Sequence, residues 1–251
     1  MGKTVGILAG LGPLAGAHFY RRLVELTPAQ VDSEHLSVVL LTDNTIPSRL
    51  DHLAGRGVSP VPGLVSAAQR IEQAGADLLV IPSTTTHAYF GEIRASIGIP
   101  VLNLLSLAAD TLDQKNCRRV GIVATTPTRD HHLYEGVLNG RGIQAVYPDQ
   151  DMQDEIMSII HGVKSTHRRE PWETRLTTVL QGEWTRGVDS VLLACTETPV
   201  VFSYGTSVTT TLHYPLYDAT DILAQATISQ CAEGNHRVAS RPIRMKEDEL
   251  R

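Results

Sequence analysis

The sequence predicts an α/β protein made of two pseudo-symmetric, doubly wound units whose parallel sheets face each other across a cleft. Three observations carry that prediction. Continuous apolar runs such as Val5-Gly6-Ile7-Leu8-Ala9 alternate with segments of helical spacing, as in parallel sheets covered by helices on both faces. The segment 3–10 returns in altered form at 118–125, which marks an internal repeat. Gly75-Ala76-Asp77 leads to Ser83 at the same spacing by which Gly187-Val188-Asp189 leads to Cys195.

In chain order, 4–9 is the first strand and Gly10-Leu11-Gly12-Pro13 is the turn that ends it. Residues 15–26 form a helix with Phe19, Leu23 and Leu26 on one face. A second strand covers 37–41 and a loop carries Ile46-Pro47-Ser48-Arg49. Pro60 and Pro62 open a helix that Gly75 closes, because proline suits a first helical turn and glycine the left-handed cap. The third strand is 77–81, a helix follows over 87–96, and 99–103 is a short fourth strand.

The second unit repeats the plan. Strands fall at 118–125 and 142–147, helices at 152–164 and 175–186, and Gly187 leads into the strand before Cys195. Tyr20 and Tyr134 mark the segments after the two opening strands, and 214–218 echoes 99–103. The expected division is 1–112 plus 215–233 for the first unit and 113–214 for the second. A last helix over 220–232 packs back on the first unit, and the polar tail 234–251 is expected to be poorly ordered.

Composition excludes several classes. A chain of 251 residues with 42% hydrophobic and 20% charged residues is an ordinary globular protein. A net charge of −5 leaves no basic footprint for nucleic acid. No apolar run is long enough to span a membrane, and the start runs straight into a strand without a signal peptide. Cys117, Cys195 and Cys231 lie far apart, which argues against a disulfide framework or a zinc site and for a reducing, cytoplasmic setting.

Ligands of such sheets bind beyond the C-terminal ends of the strands, where Ser83 and Cys195 both fall. A thiol facing a hydroxyl across a cleft suits proton transfer at a stereocentre. A thiolate is the active base, and a helix N-terminus at 196–198 is expected to lower its pKa. Thr84, Thr85 and Thr86 form a matching nest of hydroxyl and N–H groups on the other wall. Arg49 lies on the cleft side of its strand, His87 caps or packs, and His131 and His132 read as exposed helix residues. Cys117 and Cys231 read as structural.

These residues together resemble the cofactor-independent aspartate/glutamate racemases, over residues 3–232. The resemblance is carried by Gly10-Leu11-Gly12-Pro13-Leu14-Ala15, Ile46-Pro47-Ser48-Arg49, Pro82-Ser83-Thr84-Thr85-Thr86-His87 and Ala194-Cys195-Thr196-Glu197, with 120–125 and the helix ending at Lys164. It implies two flavodoxin-like domains with the active site between them, no pyridoxal phosphate, no metal and a homodimer. Cys195 matches the family's second catalytic cysteine, which acts on the L-enantiomer. Arg49 and Lys164 match basic residues for a side-chain carboxylate, and Thr85 and Thr196 match hydroxyls beside the substrate carboxylate. Gly12, Thr84, Thr125 and Glu197, in the matched segments, complete the implied substrate-binding set. The family's first site reads Cys-Asn-Thr-x-His, whereas this chain has Ser83-Thr84-Thr85-Thr86-His87. A serine hydroxyl is a far weaker acid and base than a thiol near neutral pH. The implied activity is racemisation of aspartate or glutamate with Ser83 as a weakened counterpart of Cys195.

Three alternatives remain at this point. A single cysteine suffices for a decarboxylase or isomerase of a small dicarboxylic acid that forms the same enediolate. The fold could hold a dicarboxylate without turnover. Gly10-x-Gly12-x-x-Ala15, with Asp43 ending the second strand, matches part of a dinucleotide-binding fingerprint.

Overall fold

The computed structural model describes residues 2–166, 172–202 and 212–239. The first unit runs β1 (Thr4–Ala9), α1 (Pro13–Leu26), β2 (Ser37–Thr42), α2 (Arg49–Leu53), α3 (Val61–Gln73) and β3 (Leu78–Val80). A 3-10 turn over Thr84–Tyr89 then leads into α4 (Phe90–Ala95) and α5 (Leu104–Gln114). The second unit runs β4 (Arg119–Val123), α6 (Thr126–Asp130), α7 (Glu135–Asn139), β5 (Gln144–Val146), α8 (Gln150–Thr166), α9 (Trp172–Leu180), β6 (Ser190–Leu193), α10 (Thr198–Val201) and β7 (Leu216–Asp218). The chain continues into α11 (Ala219–Ala239).

The two sheets have the same order and are parallel throughout, β2-β1-β3 in the first and β5-β4-β6-β7 in the second. The expected fourth strand of the first sheet shrinks to a single parallel bridge between Val101 and Leu79. The repeat seen in the sequence is a repeat of hydrogen bonding. Asp77 Oδ2 accepts from Thr4 N at 2.7 Å, and Asp189 Oδ2 accepts from Arg118 N and Arg119 N at 2.6 and 2.7 Å. Each aspartate thereby pins the start of its unit's central strand. Gly75 and Gly187 make the preceding turn at φ 92° and 73°, where a Cβ would be strained.

The apolar strands are buried on both faces, so the core has three parts. One face of β1 and β3 packs on α3 and α4, and one face of β4 and β6 packs on α8 and α9. The inner faces of both sheets share a single core with α1, α5 and α11. That shared layer holds the two units in register around the cleft. Arg22 ties α1 to α11 through both oxygens of Asp221, at 2.6 and 2.8 Å.

Several expectations need correction. Residues 216–218 were expected in the first unit, but β7 hydrogen-bonds to β6 in the second sheet. Only the helix after it, α11, returns to α1 and α5. That helix runs on through 234–239, into the expected tail, while 240–251 lie outside the described residues. Helix α9 stops at Leu180, and a 3-10 turn over Glu183–Thr185 covers the rest of the expected 175–186 helix. Trp184 Nε1 donates to Val179 O at 2.7 Å and closes the chain there. Tyr20 and Tyr134 are not equivalent, since Tyr134 is fully buried and Tyr20 is exposed. His131 and His132 lie in the turn between α6 and α7, with His132 in the left-handed region at φ 52°.

Candidate active site

The matched strands β3 and β6 end beside one buried cavity, lined on one side by Ser83, Thr84 and Thr85 and on the other by Cys195, Thr196 and Glu197. Lys164 reaches it from α8 and Thr125 from the start of α6. Eight of the ten residues expected from the sequence line this cavity. Arg49 and Gly12 do not line it directly.

On the Ser83 wall every group is neutral. Thr86 Oγ1 donates to Ser83 Oγ at 2.8 Å. His87 donates from Nδ1 to Ser83 O at 2.9 Å and accepts at Nε2 from Leu104 N at 3.0 Å. Both nitrogens are thus engaged by the backbone, and burial lowers the imidazole pKa to about 4. The ring is therefore a neutral strut between this strand end and α5. Thr84 Oγ1 donates to Ala194 O, directly behind Cys195. Its proton is committed to joining the two walls, and so is not available to a ligand.

The Cys195 wall carries charge. Cys195 Sγ donates to Glu197 Oε2 at 3.1 Å, and Lys164 Nζ lies 3.2 Å from Glu197 Oε1. The glutamate is only 4% exposed, and Oε1 has no hydrogen-bond donor in spite of the nearby ammonium. The Lys164 contact is thus an ion pair rather than a directed hydrogen bond. The expected fall in the thiol pKa is not found. Burial first, and the negative charge of Glu197 second, push Cys195 well above the ordinary thiol value, with Lys164 opposing. The helix after it, α10, is one turn long, and a buried carboxylate outweighs whatever dipole it offers.

Gly12 acts through Glu197. A Cβ on Gly12 would come 2.1 Å from Glu197 Oε1, so only glycine leaves room for the carboxylate. That contact also fills the turn that a dinucleotide phosphate would need, and Asp43 is held by Thr45 and Arg70. Arg49 donates to the carbonyls of Leu11 and Pro47. Burial pulls its guanidinium below the ordinary value, and the charge of Glu197 opposes that pull. It lies behind Leu11, within electrostatic reach of the site.

Leu11, Leu50 and Thr128 also line the cavity and were not singled out from the sequence. Thr128 had a legible signal, since Thr125 and Thr128 stand three apart at a helix start and share a 2.9 Å hydroxyl contact. Leu50 had none. It separates this cavity, of about 10 Å³, from a cavity of about 410 Å³ between α2 and α6. The smaller volume holds about one water. His131 Nε2 lies 2.7 Å from Leu53 O and joins the two units across that seam. Among the described residues no group of three or more His, Cys, Asp or Glu could hold a metal ion. No helix among them is long and apolar enough to cross a membrane.

The family model for Asp/Glu/hydantoin racemases matches residues 8–227. The chain belongs to that family. This racemase-class isomerase is 32% identical to an aspartate racemase of Picrophilus torridus, covering 92% of this chain and 95% of that one, with a TM-score of 0.81. It is 23% identical to the broad specificity amino-acid racemase RacX of Bacillus subtilis, over 90% of this chain and 96% of the relative. A glutamate racemase of Francisella tularensis, solved with D-glutamate, shares the two-domain α/β fold. It is 17% identical, with a TM-score of 0.65 over 93% of this chain and 82% of that one.

Proposed function

We propose that this family member racemises an acidic amino acid, aspartate or glutamate, without pyridoxal phosphate or a metal. Cys195 removes and returns the α-proton of the L-enantiomer, and Ser83 is its weakened counterpart on the opposite face. The observation that carries this reading is the matched position of the two side chains, at equivalent strand ends on one buried cavity. The positive charges of Lys164 and Arg49 favour a second carboxylate on the substrate. The likeness to an aspartate racemase supports the acidic class, and the likeness to a broad specificity racemase allows further amino acids.

The thiol must first lose its proton to solvent, because its surroundings hold it protonated at rest. The thiolate then takes the α-proton and becomes the thiol again. The carbon's electron pair passes into the α-carboxylate as an enediolate, held by the hydroxyls of Thr85, Thr125 and Thr196. Ser83, or a water it holds, delivers a proton to the other face and is reprotonated from solvent. The cavity, of about 10 Å³, has to widen to take an amino acid, and Leu50 of α2 lines both it and the cavity of about 410 Å³ beside it.

Racemisation has an equilibrium constant of one, so kcat/KM is equal in the two directions and the enzyme is not a one-way racemase. It exchanges the α-proton of one enantiomer with solvent faster than it inverts that enantiomer. Deuterium incorporation into L- and D-aspartate and L- and D-glutamate in heavy water tests this. Faster exchange of the L forms is expected. Faster exchange of the D forms, or exchange that survives Cys195→Ala, would sink the reading.

One observation favours a second reading. A thiol held protonated is a ready proton donor, which single-cysteine decarboxylation of a malonate-type acid requires. Carbon dioxide release from substituted malonates, without exchange of any amino acid, would select it. A cytoplasmic homodimer belongs to the proposed reading, and light scattering on the purified protein checks the dimer.

A further inference from the structure

We propose that Glu197 is the acceptor for the substrate's α-ammonium group, so that the site selects amino acids over dicarboxylic acids that lack the amine. The inference rests on the racemase reading and deepens it by assigning the substrate's cation.

An amino acid brings a positive charge into a closed cleft, and a buried ammonium without an anionic partner is strongly disfavoured. Glu197 is the one carboxylate that lines the cavity among the described residues. Its two oxygens are not equivalent. Oε2 accepts from the Cys195 thiol, whereas Oε1 is buried and takes no hydrogen bond. Lys164 offsets the charge on that oxygen but makes no directed hydrogen bond to it, and a substrate ammonium N–H supplies one. Gly12 leaves room for that oxygen, since any Cβ there would collide with it, and its charged neighbour is Lys164 Nζ at 3.2 Å.

The charges close only with an amino acid of the acidic class. The charges of Arg49 and Lys164 stand against that of Glu197, leaving one positive charge in excess. Aspartate brings two carboxylates and one ammonium, and the sum is neutral. Succinate brings the same carboxylates without the ammonium, leaving the cleft with an uncompensated negative charge beside Glu197. A neutral amino acid leaves the excess positive charge in place. The Lys164–Glu197 ion pair therefore opens toward both ends of its ligand, with a substrate carboxylate taking Lys164 and the ammonium taking Oε1.

The position also suits the chemistry. Oε2 of the same carboxylate lies 3.1 Å from Sγ, so an amine on Oε1 sets the adjacent α-carbon next to the thiol. A dicarboxylate held only by Lys164 and by the more distant charge of Arg49 has no group that fixes its reacting carbon there.

The test is calorimetric titration of wild type and Glu197→Gln with L-aspartate and with succinate, which differ only in the amine. Wild type is expected to hold aspartate at least tenfold more tightly than succinate. In Glu197→Gln aspartate should weaken at least tenfold while succinate binds as well or better, so the ratio collapses. A purely structural role for Glu197 would weaken both ligands together and leave the ratio unchanged, and that result overturns the inference. Should Glu197→Gln fail to fold by circular dichroism, Glu197→Asp keeps the charge but withdraws it. The ratio is then expected to fall partway, and an unchanged ratio again overturns the inference. Heavy-water exchange on the wild type separates the two levels. If aspartate exchanges but the ratio ignores Glu197, this inference alone falls. If no amino acid binds or exchanges, the racemase reading falls and takes this inference with it.

Discussion

The two walls of the cleft share a backbone plan and differ in chemistry. At Ser83 the strand end is held by neutral contacts, with Thr86 on the hydroxyl and a deprotonated His87 bridging Ser83 O to Leu104 N. At Cys195 the same strand end carries Glu197, which accepts from the thiol and is ion-paired with Lys164 from α8. Duplicated topology supplied two equivalent strand ends, one bearing a hydroxyl and the other a thiol. Side chains one or two residues further on decided that only one of them has a charged partner. The Ser83 wall is built to stay in place, and the Cys195 wall is built to change charge.

The largest way to break that comparison is Cys195→Ala. Removing the thiol should lower L-aspartate α-proton exchange by a factor of about 10² to 10⁴, the range for a positioned acid–base group. The readout is deuterium incorporation by NMR, and Ser83→Ala should cost much less in the same assay.

The neutral wall is expected to fail in acid. The pKa of His87 is lowered from 6.5 to about 4, so the unfolded chain binds the proton first. The stabilisation is fully present above pH 6.5 and is lost as pH falls through about 4, by up to about 3 kcal/mol. His18, also lowered to about 4, adds to the same slope. Urea melts of wild type and His87→Asn at pH 7, 5.5 and 4 check this. The variant should start less stable and lose less on acidification, and an equal slope would count against a buried neutral imidazole.

Ser83→Cys sharpens the comparison by making the walls alike. Inversion of aspartate, followed by polarimetry, should rise about tenfold relative to exchange, because a thiol is the stronger acid and base on that face. No gain would mean that Ser83 is not the opposing proton donor.

The smallest effect concerns the charged wall alone. Glu197 raises the Cys195 thiol and Lys164 lowers it. Glu197→Gln should therefore move the thiolate absorbance transition to lower pH, and Lys164→Met should move it to higher pH. A shift of about one unit each way is expected, worth about 1.4 kcal/mol. Cys195→Ala provides the blank for Cys117 and Cys231. Shifts in the same direction would contradict the opposing roles of the pair.

Much of this was legible in the chain. The repeat of 3–10 at 118–125, and the matched glycine-to-site spacing, located Ser83 and Cys195 because in this chain both units bury their central strand alike and pin its start with an aspartate. The segment 216–218 was misassigned although its resemblance to 99–103 pointed to the right neighbour, since Val101 bridges to β3 as β7 pairs with the equivalent β6. Leu50 carried no signal, since a leucine beside a cavity and a leucine in a core read the same. Thr84 was expected to face a ligand, but its hydroxyl found Ala194 O on the other unit, a partner 110 residues away.

By itself the sequence determined the doubled α/β plan and the two strand ends, one with a hydroxyl and the other with a thiol, because periodicity and residue type are local properties of the chain. The tertiary structure alone decided the charge state around Cys195. A thiol pKa depends on how much water is removed and on which charge lies nearby. Both were set when Glu197 folded against Gly12 and Lys164, in a cleft made by two distant parts of the chain.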